Sequence, residues 1–574
     1  MLTKTTLMKK LVLLLALFLS GITQAQTLNY QWGHALGAAT GDDIGNAVAV
    51  DVYGSVINMG TFSSLTDFDP GPGTFTIAAP AYVAVYITKS DANGNLLWAK
   101  SIGTSHGVFG YALTLDVAGN IYLGGTFQGP TDFDPGAGTY SLTTNGNTDA
   151  FIVKLDTYGD FVWAATFGGT QQEYLSSLSV DAQNNVYASG AFSTSVDFDP
   201  GAASYSLTSA GSYDGFILKL NNIGNFVWAK QISGAAYNDV TAITTSAGGE
   251  VFAALTYSGT VDLDPGAASN PATAAGVYDM ALIKLDAAGN FSWAKLFGGS
   301  GDDEPLAMLR NASGDLFITG FFSNTVDFDP GPGATTLTAP SNDLFILKLD
   351  MNGNFNWVKT FASTPYNIGA YNLAQDAAGN IYTAGRFNGS VDFDPGAGSY
   401  SLTASGIADA FILKLTPAGN LAWAYKFGGS LMDGGTSIAL NHNATEIYFT
   451  GFYRDTIDLD PGPAIAGLST SANPNAFLCK FSQATNGLSE YNSDNTISVF
   501  PNPAGAVLTV KIDAATLLSN TKLSICDPLG NVLLEELMSN NALQLNIEHL
   551  SKGIYFLTVS EGGSVISSKK LIKQ

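Results

Sequence analysis

Pairs of aspartates separated by one apolar residue and followed by Pro-Gly stand at Asp67 and Asp69, Asp132 and Asp134, Asp197 and Asp199, Asp262 and Asp264, Asp327 and Asp329, Asp392 and Asp394, and Asp458 and Asp460. Alternate residues of an extended segment share a face. Each pair therefore sets two carboxylates about 6.6–7 Å apart on one side, and the Pro-Gly turn aims backbone carbonyls toward the same region. Two anions so close need compensation, and three sources are open. Water suffices if the loop is exposed. A lysine that recurs in every copy, Lys219 in the third, is a second source. The third is Ca²⁺, a hard cation that takes about 6–8 oxygen ligands. Neither aspartate is replaced in any copy, which suits a metal, but the loop lacks the longer run of acids found in dedicated calcium loops.

A second set of carboxylates follows the tryptophan-bearing segments, where the copies diverge. Equivalent positions hold Asp43, Val108, Glu173, Asn238, Asp303, Ile368 and Asp433, with Asp42, Gln172, Asp239, Asp302 and Glu304 beside them. Loops on a rigid scaffold commonly carry function, so Asp43, Glu173, Asn238, Asp303 and Asp433 are candidates for a ligand-binding face; solvated turn residues are the plain alternative. Glu173 and Asp303 could act as acid and base on a glycan only if they stood about 5–10 Å apart in a shaped pocket. His34, His106, His442 and His549 occupy unrelated registers and assemble no zinc site or Ser–His–Asp triad. No phosphate-binding glycine loop of the required spacing is present.

The elements that position these residues are set by a repeat. Successive acidic motifs begin 65 or 66 residues apart, and Trp32, Trp98, Trp163, Trp228, Trp293, Trp357 and Trp423 keep the same beat. A fixed long period means one supersecondary unit copied in tandem. Within a unit Phe161, Trp163, Ala165 and Phe167 alternate with other residues, which is strand periodicity. Further strands are expected at Leu178–Val180, Val186–Phe192 and Phe216–Leu220, with a short excursion at the acidic motif. Four strands per unit and seven units predict an all-β, seven-bladed β-propeller over residues 26–481. The array opens on the tryptophan strand Tyr30–Leu36 and closes on Ala476–Phe481, which no tryptophan strand follows. The first strand is therefore expected to complete the last blade and remove an exposed sheet edge. The tryptophans recur on one face with Phe161 and Phe167, which argues for packing rather than sugar platforms.

Comparison between copies separates two further roles. The turn before the second strand starts at Asp51, Asp116, Asp181, Ser246, Asn311, Asp376 and Asn441, so a short acceptor closing a turn is what this position needs. Lys89, Lys154, Lys219, Lys284, Lys348, Lys414 and Lys480 are lysine in every copy.

The net charge of −24 repels nucleic acid and anionic lipid and favours cations or basic partners. Two cysteines imply no disulfide framework. Residues 1–25, with Lys9 and Lys10 before an apolar run and Thr23-Gln24-Ala25 at its end, read as a signal peptide. No later segment has 18 consecutive apolar residues, so no transmembrane segment is expected in the mature chain. Residues 482–496 read as a linker and 497–574 as a small β domain.

Asp149-Ala-Phe-Ile-Val-Lys-Leu-Asp, Phe167-Gly-Gly and Asp116-Val-Ala-Gly-Asn-Ile-Tyr-Leu-Gly-Gly resemble bacterial β-propeller repeats of the SBBP type. That resemblance covers about residues 27–482 and implies a propeller with no single activity; the acidic motif is not part of it. Val499-Phe500-Pro501-Asn502-Pro503, Asp527-Pro-Leu-Gly-Asn-Val, Gly553-Ile-Tyr-Phe-Leu-Thr-Val and the Lys569-Lys570-Leu-Ile-Lys ending resemble the immunoglobulin-like C-terminal sorting domain of the type IX secretion system of Bacteroidota. This second resemblance implies engagement of that machinery and passage through the outer membrane, with release or surface attachment. The expectation is an exported binding, adhesion or scaffold protein whose acidic loop face meets an extracellular glycan or protein; a glycan-acting enzyme is the alternative. Ca²⁺ is the one cofactor the residues suggest.

Overall fold

A computed structural model of the protein describes residues 28–483 and 497–573, apart from 39–40, 81, 365–367, 471–472, 502, 513–521, 527–531, 538–539, 541 and 562–563. The signal peptide expected at 1–25 lies outside them, as do residues 484–496 of the expected linker and the turn at Asp527–Gly530. The chain divides into two compact units, one spanning Ala25–Ala484 and one containing Thr485–Gln574.

In the larger unit the described residues form seven antiparallel sheets, each with four long strands; in the third, the outer strand Phe226–Gly234 also pairs with the short hairpin Thr260–Asp262 and Pro271–Thr273. The third is otherwise typical. Its long strands are Glu173–Val180, Val186–Phe192, Asp214–Leu220 and Phe226–Gly234, paired in that order. Between the second and third, Ser195–Asp197 and Ser206–Thr208 form a short hairpin around the acidic motif. The two middle strands are buried along their whole length because neighbouring sheets cover both their faces. Asp214 and Lys219 apart, their sequences accordingly run mostly apolar or small without alternation. One cluster joins Tyr122 and Ile152 of the second sheet to Leu175, Val186 and Phe192 of the third, so the core lies between sheets.

In the seventh sheet the fourth strand comes from the other end of the unit. Leu28–Ala35 pairs antiparallel with Asn475–Gln483, as the phase of the tryptophans predicts. That last strand runs two residues past the expected boundary at 481. Gln483 is held there because its Oε1 accepts from Lys414 Nζ and Tyr382 Oη, each at 3.0 Å.

Every first strand slips register once, as between Leu175 and Ser177. Such a bulge re-aims the extra residue, and here it reaches the next sheet. Asn46 Nδ2 donates to Gly110 O at 2.8 Å, and Thr241 Oγ1 to Pro305 O at 2.8 Å. Thr436 Oγ1 of the seventh sheet donates to Gly45 O of the first. Residues of all seven first strands line one polar cavity of about 220 Å³.

The smaller unit has two antiparallel sheets. One contains Ile497–Phe500, Val507–Ile512 and Ala542–Asn546; the other contains Lys522–Cys526, Val532–Leu537, Gly553–Glu561 and Ser564–Lys573. Leu508, Val510, Leu523, Ile525, Leu545, Leu557 and Leu571 form their shared core.

Candidate functional site

The acidic motif closes its own loop. Asp197 Oδ1 accepts the amides of Asp199 at 3.1 Å and Tyr205 at 2.8 Å, and Asp199 Oδ1 accepts the amide of Gly201 at 2.8 Å. The first aspartate makes the same two bonds in all seven copies, from Asp67 to Asp458. The second repeats its bond from Asp69 to Asp460. Burial raises the affinity of Asp197 for a proton, but the amides outweigh it and leave this carboxyl below the ordinary range. Between the aspartates Phe198 is buried, with ring centroids 5.3 Å from Phe192 and 5.1 Å from Phe216. The motif also bridges to the outer strand of the preceding sheet, Asp197 with Gly168, Asp262 with Ser233 and Asp458 with Gly428. It is a latch between sheets.

Of the three expected compensations the lysine is corrected, and backbone amides face the Oδ1 atoms instead. A calcium ion needs oxygens with lone pairs converging on one point. Here Oδ1 of both aspartates in Asp67/Asp69, Asp132/Asp134, Asp197/Asp199, Asp262/Asp264, Asp327/Asp329, Asp392/Asp394 and Asp458/Asp460 faces N–H donors. Among the described residues no group of three or more His, Cys, Asp or Glu side chains is placed to hold a metal ion. The repeat lysine is engaged elsewhere: Lys219 Nζ lies 4.9 Å from the centroid of the Tyr187 ring and donates to Ala287 O at 3.3 Å.

Five of the seven repeat lysines form ion pairs with the turn before the second strand. Lys89 Nζ lies 3.0 Å from Asp51 Oδ2, and Lys414 Nζ 3.8 Å from Asp376 Oδ2. Where the turn opens on Ser246, Asn311 or Asn441, an acid at its far end takes over: Glu250 on Lys284 at 2.7 Å, Asp315 on Lys348 at 2.9 Å, and Glu446 on Lys480 at 2.6 Å. The expectation that only a short acceptor matters at this turn is therefore incomplete; the charge moves along the turn instead of disappearing.

The five ligand-face candidates are buried. Asp43, Asn238, Asp303 and Asp433 are 0% exposed and Glu173 is 1% exposed. Each starts, or immediately precedes, a first strand and ties the preceding loop to it. Asp43 Oδ2 accepts Ala38 N at 2.8 Å and Oδ1 accepts Ser63 N at 3.1 Å; Glu173 Oε2 accepts Gly169 N at 2.9 Å. Asp303 accepts Gly299 N at 2.8 Å and Ser323 N at 3.2 Å, and Asp433 accepts Gly429 N at 2.7 Å and Arg454 N at 3.1 Å. Asn238, with its amide turned to suit its neighbours, accepts Gly234 N at 3.3 Å. Val108 and Ile368 fill the same buried position without a polar group. Burial pushes Asp43 and Asp433 up to about 6 and Glu173 and Asp303 up to about 7, with Asp149, Asp279 and Asp409 adding repulsion beside Glu173, Asp303 and Asp433. Their neighbours Asp42, Gln172, Asp239, Asp302 and Glu304 keep partial exposure.

Comparison of the chain with known proteins bears on its two units differently. Residues 498–574 match the family described as the secretion system C-terminal sorting domain. The tail is a secretion system C-terminal sorting domain. Such a sorting domain directs its passenger through the outer membrane, so the protein is exported to the cell surface or extracellular space. The chain is 22% identical over 518 residues to an uncharacterized WD repeat-containing protein of Acanthamoeba polyphaga mimivirus, covering 77% of this chain and 36% of the relative. It is 22% identical over 289 residues to regulatory protein FlaEY of Caulobacter vibrioides, covering 47% and 29%. The chain thus spans about a third of the length of these curated relatives. Among solved structures it is similar to PorZ, a surface component of the type-IX secretion system of Porphyromonas gingivalis, at 10% identity and TM-score 0.24, over 92% of this chain and 81% of that one. It is also similar to the pyranose dehydrogenase PQQ domain of Coprinopsis cinerea, at 8% identity and TM-score 0.29, over 66% and 96%. Among the described residues no helix is long and apolar enough to cross a membrane.

One site escapes a reading of the acids alone. A cleft of about 280 Å³ opens at the sixth sheet, lined by Arg386, Tyr371 and Asn388. Arg386 stands where the other repeats carry Thr61, Thr126, Ala191, Thr256, Phe321 and Phe452. A search for an uncharged position turned cationic in one copy finds it in the sequence.

Proposed function

We propose that the exported passenger is a non-enzymatic binding or scaffold module, built as a seven-bladed propeller closed by its N-terminal strand over residues 26–481. A signal peptide at 1–25 is removed, and a linker leads to the sorting domain. Contacts run from each first strand to the next and from Gly434–Leu440 back to Ile44–Val50, which supports the closed ring.

The observation that carries the non-enzymatic reading is the placement of Glu173 and Asp303. They start first strands of different sheets and are buried; Glu173 Oε2 accepts the amide of Gly169, and both oxygens of Asp303 accept the amides of Gly299 and Ser323. A general acid or base must reach the proton it transfers, and buried, amide-bonded carboxylates do not reach an external glycan. The rigid core and the unequal first-strand ends suit recognition of an extracellular glycan or protein.

The test is to apply the mature chain to a glycan array and to envelope and matrix extracts, with product analysis of every glycan it retains. Retention without cleavage is expected. Cleavage that Glu173→Gln or Asp303→Asn abolishes, with folding intact, would establish the enzyme instead.

A further inference from the structure

We propose that the cleft at the sixth sheet binds an acidic sugar, its carboxylate on Arg386. The proposal rests on the binding-module reading and names a ligand class for it.

The repeat supplies its own controls. The residue opposite Arg386 on the first strand is Gly369, where the first five sheets carry Ile44, Phe109, Tyr174, Asp239 and Glu304. The seventh sheet also carries glycine here, Gly434. Two adjacent first strands without side chains at this point leave room that the other junctions fill. A Cβ on Gly369 would lie 3.0 Å from the Tyr371 hydroxyl, so Tyr371 occupies part of that space itself. Tyr371 is the bulge residue of its strand. In the first and fourth sheets the corresponding Asn46 and Thr241 bond to the neighbouring sheet. Tyr371 instead packs against the guanidinium of Arg386, 5.9 Å from its ring centroid, a contact that orients the cation.

Arg386 is exposed, and among the described residues no carboxylate lies within salt-bridge distance of it. Lys89, Lys284, Lys348, Lys414 and Lys480 each have an acid close by. A planar guanidinium offers paired N–H donors in the geometry of a carboxylate. Around it the cleft presents Phe321 and Met432 as an apolar wall and the amide of Asn388. An apolar wall suits the C–H face of a pyranose, and amides can both donate to and accept from hydroxyls. A volume near 280 Å³ is at the low end for ligand pockets, which suits a single sugar residue rather than a long chain. The net charge of −24 repels an anion at long range, so recognition has to be local to this cleft.

The experiment titrates the full mature chain with glucuronate, galacturonate, glucose and galactose by saturation-transfer NMR and calorimetry. Arg386→Thr, which installs the residue of three other repeats, serves as the control, and Gly369→Ile refills the cleft as Ile44 does in the first sheet. The expected result is that a uronate binds at least about tenfold more tightly than its neutral counterpart, that both variants lose this preference, and that Arg386→Thr melts like the wild type. Equal binding of uronate and neutral sugar, or uronate binding that survives Arg386→Thr, overturns the proposal. Absence of uronate binding overturns it too. If neutral glycans from the array then bind, the binding-module reading stands without this cleft; if neither glycans nor extract components bind, that reading falls as well.

Discussion

Glu250 Oε1 lies 2.7 Å from Lys284 Nζ, and it supplies the charge that Ser246 lacks at the position held by Asp51, Asp116, Asp181 and Asp376 in other repeats. The lysine is mostly buried, so it needs an anion nearby, but the anion can come from either end of the same turn. Contact with Lys284 holds the Glu250 carboxyl below its ordinary range.

Glu250→Gln should therefore destabilise the protein by about 1–3 kcal/mol, between the values for exposed and buried pairs. Ser246→Asp in the same chain should recover most of that loss by placing the acid where Asp181 stands. Thermal melts of the two single variants and the double variant measure the coupling. Additive losses would mean that the two turn ends do not serve one lysine.

The acidic motif should behave as a latch and not as a metal site. Phe198→Ala should cost about 3–5 kcal/mol through loss of a buried ring. Asp197→Ala should cost about 1–3 kcal/mol by leaving the amides of Asp199 and Tyr205 without their acceptor. Melting in chelator and in millimolar Ca²⁺ should give the same curve. A rise with Ca²⁺ would overturn the latch, because a ligand that binds only the folded state stabilises it.

The fold was legible because its signals are periodic. Trp163 and Phe198 recur at one spacing, and the missing partner of Asn475–Gln483 could be read from phase alone. The candidate site was legible only in part. At the turns, Ser246 and Asn311 hid a charge that had moved four residues, to Glu250 and Asp315, within the same hairpin. Glu173 and Asp303 follow Gly-Gly loops and look solvated in sequence, yet the loop folds back and gives its amides to the carboxylate. Strand alternation said where Asp197 and Asp199 point, but not that their own loop would curl round to offer N–H donors. Arg386 and Gly369 sit opposite each other across strands, a relation that register alone reveals.

Deleting Leu28–Ala35 should expose the edge of Asn475–Gln483, which that segment now covers. Unpaired edges template association with other chains. Aggregation or a clearly lower melting temperature is expected in light scattering and calorimetry of the deletion variant. A monomer with an unchanged melt would refute the closed ring.

The buried carboxylates set the last expectation, which concerns pH. Asp43 and Asp433 rise to about 6 and Glu173 and Asp303 to about 7, chiefly through burial, from ordinary values of 3.8 for Asp and 4.5 for Glu. The folded state thus binds more protons than the unfolded chain between about pH 4 and 7, and stability falls with rising pH across that interval. Their contribution is complete below the unfolded values and is lost as pH rises through 6–7. Glu173 Oε1 and the facing Asp149 Oδ1 are both buried without a hydrogen-bond partner, so a proton on either oxygen relieves the junction. At the acid end the sign reverses. Asp197, Asp262 and Asp392 lie below the ordinary range, and their contribution disappears as pH falls through those values. The melting temperature should therefore peak between about pH 4 and 6 and decline toward pH 8. Glu173→Gln with Asp303→Asn keeps an acceptor for each loop amide, as Asn238 does in the fourth sheet, and removes the charge. That variant should match the wild type near pH 5 and exceed it at pH 8. A wild-type melt that rises from pH 5 to 8, or a variant equally destabilised at both values, would show that these groups act through their hydrogen bonds and not through titration.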